Sequence, residues 1–185
     1  GPEGPYRGAT QMSGELGHTF VGGSDRLCRC GGRGCLETVA SLPALGERGR
    51  EAAQAGRADL LLARAGGEPA RIGPETVLAA AEAGDPVAQA IVGEAALRLG
   101  AAVANAVNLF NPDVVVVSRR LGEAGAGLLE KTIDAVRRHA LAPTLRTLRF
   151  RVSELGDLAG PIGAAGAVLD RLFAPPQFEM PETLR

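Results

Sequence analysis

Residues 85–118 read DPVAQAIVGEAALRLGAAVANAVNLFNPDVVVVS, and their pattern decides the fold class. Asp85-Pro86 is a helix start: an N-cap carboxylate followed by proline at the first helical position. Behind it Ile91, Ala95, Leu99, Val103, Val107 and Phe110 recur mostly every fourth residue, and alanine fills most other faces. A helix apolar nearly all round is a buried one, here expected to run to about Leu109. Asn111-Pro112 breaks it, and Val114 to Val117 form a continuous β-branched run. Such a run predicts a strand covered on both faces, as in a parallel sheet.

On the C-terminal side, the pattern predicts a helix over 122–139, a strand over 147–152 and a last helix over 161–173. The order is then α-β-α-β-α, an α/β fold. Gly160, Gly163 and Gly166 line one side of the last helix, as close approach of another backbone would require. On the N-terminal side, GPETVLAAAEAGD predicts a short helix over 74–83 ended by Gly84. Weaker patterns predict helices over 35–46, with Leu36, Val39, Ala40 and Leu45 on one face, and over 52–64. Residues 1–13 read as a loop or strand remnant that begins mid-fold, with Gly1-Pro2 compatible with a tag scar. Residues 14–35 are rich in Gly and Cys and allow at most one short strand, at 19–21. Residues 176–185 read as a frayed tail. No internal repeat is present, so 1–175 are expected to form a single domain.

The 185 residues are 45% apolar and 22% charged, which is ordinary globular usage. With a net charge of −1 the chain has no clustered basic surface for a polyanion. Any contact with DNA would lie outside it. No uninterrupted apolar run reaches the roughly 18–20 residues of a membrane span, and no secretory signal opens the sequence. A cytoplasmic location without membrane contact is therefore expected, where thiols stay reduced. Lys131 is the only lysine among 20 basic residues, a mark of a GC-rich source.

Against that background the cysteines stand out. GELGHTFVGGSDRLCRCGGRGCLE, residues 14–37, holds all three cysteines and one of the two histidines. Cys28, Cys30 and Cys35 are spaced C-x-C-x4-C, with His18 ten residues upstream. Three is an odd number, so a disulfide would leave a thiol over. Three thiolates and an imidazole make a Cys3His set, which satisfies tetrahedral zinc with no open position. Gly31, Gly32 and Gly34 let the backbone fold sharply enough to turn the sulfurs toward one point. The competing reading is a small buried thiol cluster with His18 in a satisfied hydrogen bond.

GELGH followed by CRCGGRGCLE resembles the signature of the ROK family, the bacterial group of repressors, open reading frames and sugar kinases. NLFNPDVVVV resembles that family's helix-to-strand junction, and GPIGAAGAVLDRL its closing helix. The resemblance covers nearly the whole chain but only the C-terminal half, or slightly more, of a ROK protein. It implies part of an actin-like ATPase (ribonuclease H-like) fold, in which a sugar lies between two lobes. It also implies that His18, Cys28, Cys30 and Cys35 are the ligands of a structural zinc in the 14–37 loop. Glu15 and Glu37 would accept hydrogen bonds from sugar hydroxyls, and His18 would turn its remaining edge to the sugar. Read without the resemblance, Glu15 is a solvated loop charge and Glu37 a charge at a helix N-terminus.

The DxGxT phosphate loop and catalytic Asp of ROK kinases do not occur in these residues, nor does a G-x4-GK[ST] loop, so no catalytic residue is assigned. Where family kinases carry glycines after the valine strand, this chain has Ser118, Arg119 and Arg120, which would crowd a nucleotide. An arginine can still reach a phosphate, so the departure weakens the ATP reading and leaves it open. His139, in AVRRHALAP, reads as a helix C-terminal cation offsetting the dipole. The leading expectation is the effector-binding domain of a ROK transcriptional repressor, a homodimer or homotetramer whose DNA-binding helix-turn-helix lies outside this chain. Its alternative is the C-terminal part of a glucokinase-like ROK sugar kinase, and a third reading is a zinc-stabilised interaction module that binds no sugar.

Overall fold

The computed structural model describes residues 6–173. Gly1-Pro2 and the 176–185 tail lie outside the described residues. The helical core is built by α1 (Glu37–Ala40), α2 (Leu42–Gln54), α3 (Asp59–Arg64), α4 (Pro74–Glu82) and α5 (Pro86–Phe110). There follow β1 (Val114–Val117), α6 (Arg119–Gly122), α7 (Leu128–His139), α8 (Ala142–Leu145), β2 (Arg149–Val152) and α9 (Ala159–Leu172).

The central helix forms as its sequence requires. Asp85 Oδ1 accepts from the backbone N–H groups of Val87 and Ala88, both at 2.9 Å. At the other end Asn111 takes the left-handed conformation, φ 44°, and its N–H donates to Val107 O. Leu45, Leu61, Ile72, Val77 and Val92 are fully buried where α2, α3, α4 and α5 meet. On the opposite side α7 lies very close, because a Cβ at Gly100 would stand 2.3 Å from the Ala135 Cβ. With a mean hydropathy of 1.4, α5 is long and apolar enough to cross a membrane, which corrects the expectation that no segment is. Its partners argue for a core helix instead: α1, α2, α4 and α7 all pack on it, and it carries the charges of Glu94 and Arg98 in its middle.

β1 and β2 pair in parallel, with Val114 opposite Arg149 and Val117 opposite Val152. The crossover runs through α6, α7 and α8, as parallel pairing demands. The predicted order α-β-α-β-α therefore holds. The expectation of cover on both faces does not: Val115 and Val117 are half-buried, whereas Val114 is 41% and Val116 61% exposed. The described residues cover one face of this two-stranded sheet.

Four boundaries differ from the sequence pattern. The helix expected over 35–46 breaks at Ser41, whose Oγ accepts from Ala44 N and starts α2 with Pro43 in its first turn. The helix expected over 52–64 is the end of α2, a turn through Gly56 at φ +66°, and then α3. Gly125, Ala126 and Gly127 all have positive φ, so α7 begins after them rather than at residue 122. The strand expected at 19–21 is a single bridge between Phe20 and Cys35. A Cβ at Gly160, Gly163 or Gly166 would meet nothing within 4 Å, so among the described residues no backbone approaches that side of α9.

Candidate metal centre and its carboxylates

The loop preceding α1 is a small hairpin. Val21 N–H donates to Gly34 O, Gly34 N–H to Arg26 O, and Leu36 N–H to Thr19 O. At its tip Gly31 N–H donates to Cys28 O at 2.9 Å and Cys28 N–H to Gly32 O at 2.8 Å, folding the cysteines into one knuckle. Gly34 is required there: φ is +71°, and a Cβ would lie 2.7 Å from both the Phe20 ring and Ser24 O. His18 ends a single 3-10 turn, Leu16–His18, that presents it to the same point.

The structure brings all four predicted ligands together. One donor atom from each of His18, Cys28, Cys30 and Cys35 lies within 4.8 Å of every other. Cys30 Sγ and Cys35 Sγ are 3.7 Å apart, and Cys28 Sγ is 3.6 Å from His18 Nδ1. Tetrahedral zinc, with Zn–S near 2.3 Å and Zn–N near 2.0–2.1 Å, separates two sulfurs by about 3.8 Å and sulfur from nitrogen by about 3.6 Å. The donor set therefore fits such an ion in kind and in spacing. Gly32 lies beside both sulfurs: a Cβ there would be in ordinary contact, 3.4 Å from Cys30 Sγ and 3.5 Å from Cys35 Sγ.

Cys28 and Cys35 are buried and Cys30 is exposed; no disulfide joins them. Burial pushes the Cys35 thiol up to about 11, and hydrogen bonds with the other two sulfurs push the same way. Cys30 is held below its ordinary value, first by the Gly32 backbone and then by Cys28 and Cys35. A thiophilic cation would supply the charge that lets all three ionise, with release of their protons.

Glu15 and Glu37 flank the imidazole. Glu15 Oε2 is 3.8 Å from His18 Nε2, and Glu37 Oε2 is 3.7 Å from Nδ1. With Nδ1 toward the sulfurs, Nε2 is left to face a carboxylate, the usual orientation of a metal-bound histidine. Glu37 opens α1, and its Oε1 is 2.9 Å from Arg29 Nη2. Glu15 is the more exposed of the two carboxylates.

Three arginines with structural parts in this site escaped the sequence reading. Arg29 pairs with Glu37, Arg26 pairs with Glu51 of α2, and Arg98 of α5 donates from Nη1 to Val21 O at 3.0 Å. The signal for Arg98 was present, because Glu94 and Arg98 are the sole charges inside the apolar run 86–110. His139 stands apart from the cluster at the end of α7, beside Arg137 and Arg138.

Comparison with known proteins shows the family of the chain. The chain is 31% identical over 173 residues to the xylose repressor of Caldicellulosiruptor bescii, covering 94% of this chain and 43% of that protein. It is 34% identical over 162 residues to the glucokinase of Halalkalibacterium halodurans, covering 87% of this chain and 49% of the other. Among solved structures, a ROK family glucokinase from Streptomyces griseus in complex with glucose and AMPPNP superposes with a TM-score of 0.72. That pair shares 31% identity over 88% of this chain and 53% of that one. The chain thus spans about half the length of these relatives. The ROK family model matches residues 3–171, and the chain belongs to the ROK family.

Proposed function

We propose that residues 1–175 form the effector-binding domain of a cytoplasmic ROK transcriptional repressor. His18, Cys28, Cys30 and Cys35 hold a structural zinc, and Glu15, His18 and Glu37 receive a sugar. When bound, the ion cross-links the hairpin, and its closed ligand set has no position for substrate. Each carboxylate offers two acceptor oxygens, which suits adjacent sugar hydroxyls. Holding both on a pre-ordered loop spares binding energy that would otherwise go into ordering it. Sugar would bias closure of the two lobes, and a homodimer or homotetramer would carry that bias to a helix-turn-helix outside this chain.

One observation favours the repressor over the kinase. Ligands of open α/β sheets sit in the crevice outside the carboxyl ends of the strands. Here Arg119, just after β1, donates from Nη2 to Glu154 O in the loop after β2, at 3.0 Å. Gly122 of α6 lies directly against Val152, where a Cβ would be 2.7 Å from Cγ1. The protein's own guanidinium spans the crevice. Arg120 instead borders a cavity of about 430 Å³ whose other charged lining residues are Glu75, Glu82 and Glu123, a surface that repels polyphosphate.

The second reading, the C-terminal part of a sugar kinase, is favoured by the glucokinase likenesses. The full-length protein separates them. Calorimetric titration with a panel of hexoses should give saturable heat with one of them, and hexose plus Mg-ATP should yield no ADP. Hexose-dependent ADP would overturn the repressor reading. Heat with no hexose would overturn sugar binding and leave a zinc-stabilised interaction module.

A further inference from the structure

Cys30 and Cys35 can do chemistry that holding an ion does not exhaust. Their sulfurs are 3.7 Å apart, one exposed and one buried. We propose that this pair is an oxidation site for hydroperoxides, with Cys30 as the reacting thiol and Cys35 as the resolving one, and that the disulfide they form expels the metal. The proposal rests on the zinc reading given above.

The placement selects the pair. Cys30 is the exposed member of the trio, so a small peroxide meets its sulfur first. Cys28 is buried, with its sulfur beside His18 Nδ1 and its backbone N–H and C=O both bonded within the knuckle. A disulfide has its sulfurs about 2.05 Å apart, so Cys30 and Cys35 must close by about 1.7 Å. The segment between them is Gly31, Gly32, Arg33 and Gly34. A Cβ at Gly31 would meet nothing within 4 Å, so the connection is open to solvent space on that side.

The chemistry balances. The Cys30 thiolate attacks one peroxide oxygen, the O–O bond breaks, and hydroxide leaves and is protonated to water. Cys30 is then a sulfenic acid. The Cys35 sulfur attacks the Cys30 sulfur, the S–O bond breaks, and a second hydroxide leaves as water. Each thiol has lost one electron and the peroxide has gained two. His18 and Cys28 remain as ligands, half of a four-coordinate set, and the ion departs. Glu37 lies two residues beyond Cys35, and Glu15 three before His18, so both proposed sugar contacts lose their support.

The test is hydrogen peroxide titration of the metal-loaded full-length protein with a chromophoric zinc chelator present. One metal should be released per disulfide formed. Peptide mapping should join Cys30 to Cys35 while Cys28 still takes an alkylating agent, and dithiothreitol with added zinc should restore the starting state. Hexose affinity should fall at least tenfold on oxidation. Metal retained at peroxide levels that oxidise a free cysteine peptide, or a bridge that includes Cys28, would overturn the proposal. Cys30→Ser should abolish the bridge, and the wild-type map decides the matter even where that variant folds poorly. Protein that purifies without metal refutes the zinc reading by itself, and mapping of its peroxide-treated form still decides the pair.

Discussion

Replacing Arg98 with methionine should loosen the metal loop without touching a ligand. Arg98 reaches from α5 to Val21 O at 3.0 Å, across 77 residues of sequence. Its Nη2 lies 3.8 Å from Glu94, which keeps Arg48 as a second partner when Arg98 is gone. A hydrogen bond from a charged donor contributes about 1.5–3 kcal/mol, and an unpaired buried N–H costs about 1–3 kcal/mol. Arg98 has both, because its Nε is buried without a partner. Methionine removes the bond and the orphan together while keeping most of the packed stem. The net loss of global stability is then about 1 kcal/mol, or roughly 2–4 °C in Tm for a domain of this size. The local effect is larger in proportion, since the hairpin then keeps Arg26–Glu51 as its ion pair to α2 and Arg29–Glu37 as its ion pair to α1, and no side-chain tie to α5 among the described contacts. Metal affinity should fall about five- to tenfold, the ratio that 1 to 1.4 kcal/mol represents. Competition against a chromophoric chelator measures the affinity, and amide exchange at 19–36 measures loop opening. Affinity within twofold of wild type with unchanged exchange would refute the idea that α5 holds the loop.

Cys30→Ser should lower metal content and Tm together, because metal-binding free energy is folding free energy; loss of metal with an unchanged Tm would contradict a structural ion. Glu37→Gln should weaken sugar binding by about 1–3 kcal/mol in calorimetry while metal content stays constant. Leu61→Ala, at a fully buried position of the helical core, should cost about 2–5 kcal/mol in urea unfolding. Arg26 holds the Glu51 carboxyl below its ordinary range. That contribution is complete above the ordinary carboxylate value and disappears as pH falls through the lower, folded one. Arg26→Ala should remove this acid-side component from a stability–pH curve, by under about 1 kcal/mol because the pair is half-exposed.

What the sequence disclosed depended on how local the physics was. Asp85 and Pro86 start their helix with contacts two and three residues away, so the pattern alone places α5. The Cys3His cluster is equally local: four candidate ligands within eighteen residues, bent together by glycine. The break at Ser41 was legible in principle, since a serine two residues before a proline is a helix start as much as a helix interior. The partners of the arginines were not, although Arg98 itself stands out as a charge inside the apolar run. Arg26 finds Glu51 at a separation of 25 residues, and Arg98 finds a backbone carbonyl, a partner with no sequence signature at all.

The valine run after Asn111-Pro112 failed in a different and more informative way. An unbroken β-branched run states what a strand requires, cover on both faces, and carries no information about which element provides it. Among the described residues the fold answers on one face, and Val116 on the other is mostly in water. The last helix repeats the mismatch, with Val168, Leu169 and Leu172 exposed beside a glycine side that nothing approaches. Both are places where the apolar requirement written in the sequence exceeds the apolar surface that residues 6–173 supply. The Cys3His loop shares the excess only at Phe20 and Leu27, which are exposed, while its candidate ligands, its turn glycines and its ties to α2 and α5 all lie within the same described unit. The knuckle's geometry is held by contacts among the described residues, whereas the exposed faces of β1 and α9 are where further protein surface would matter most.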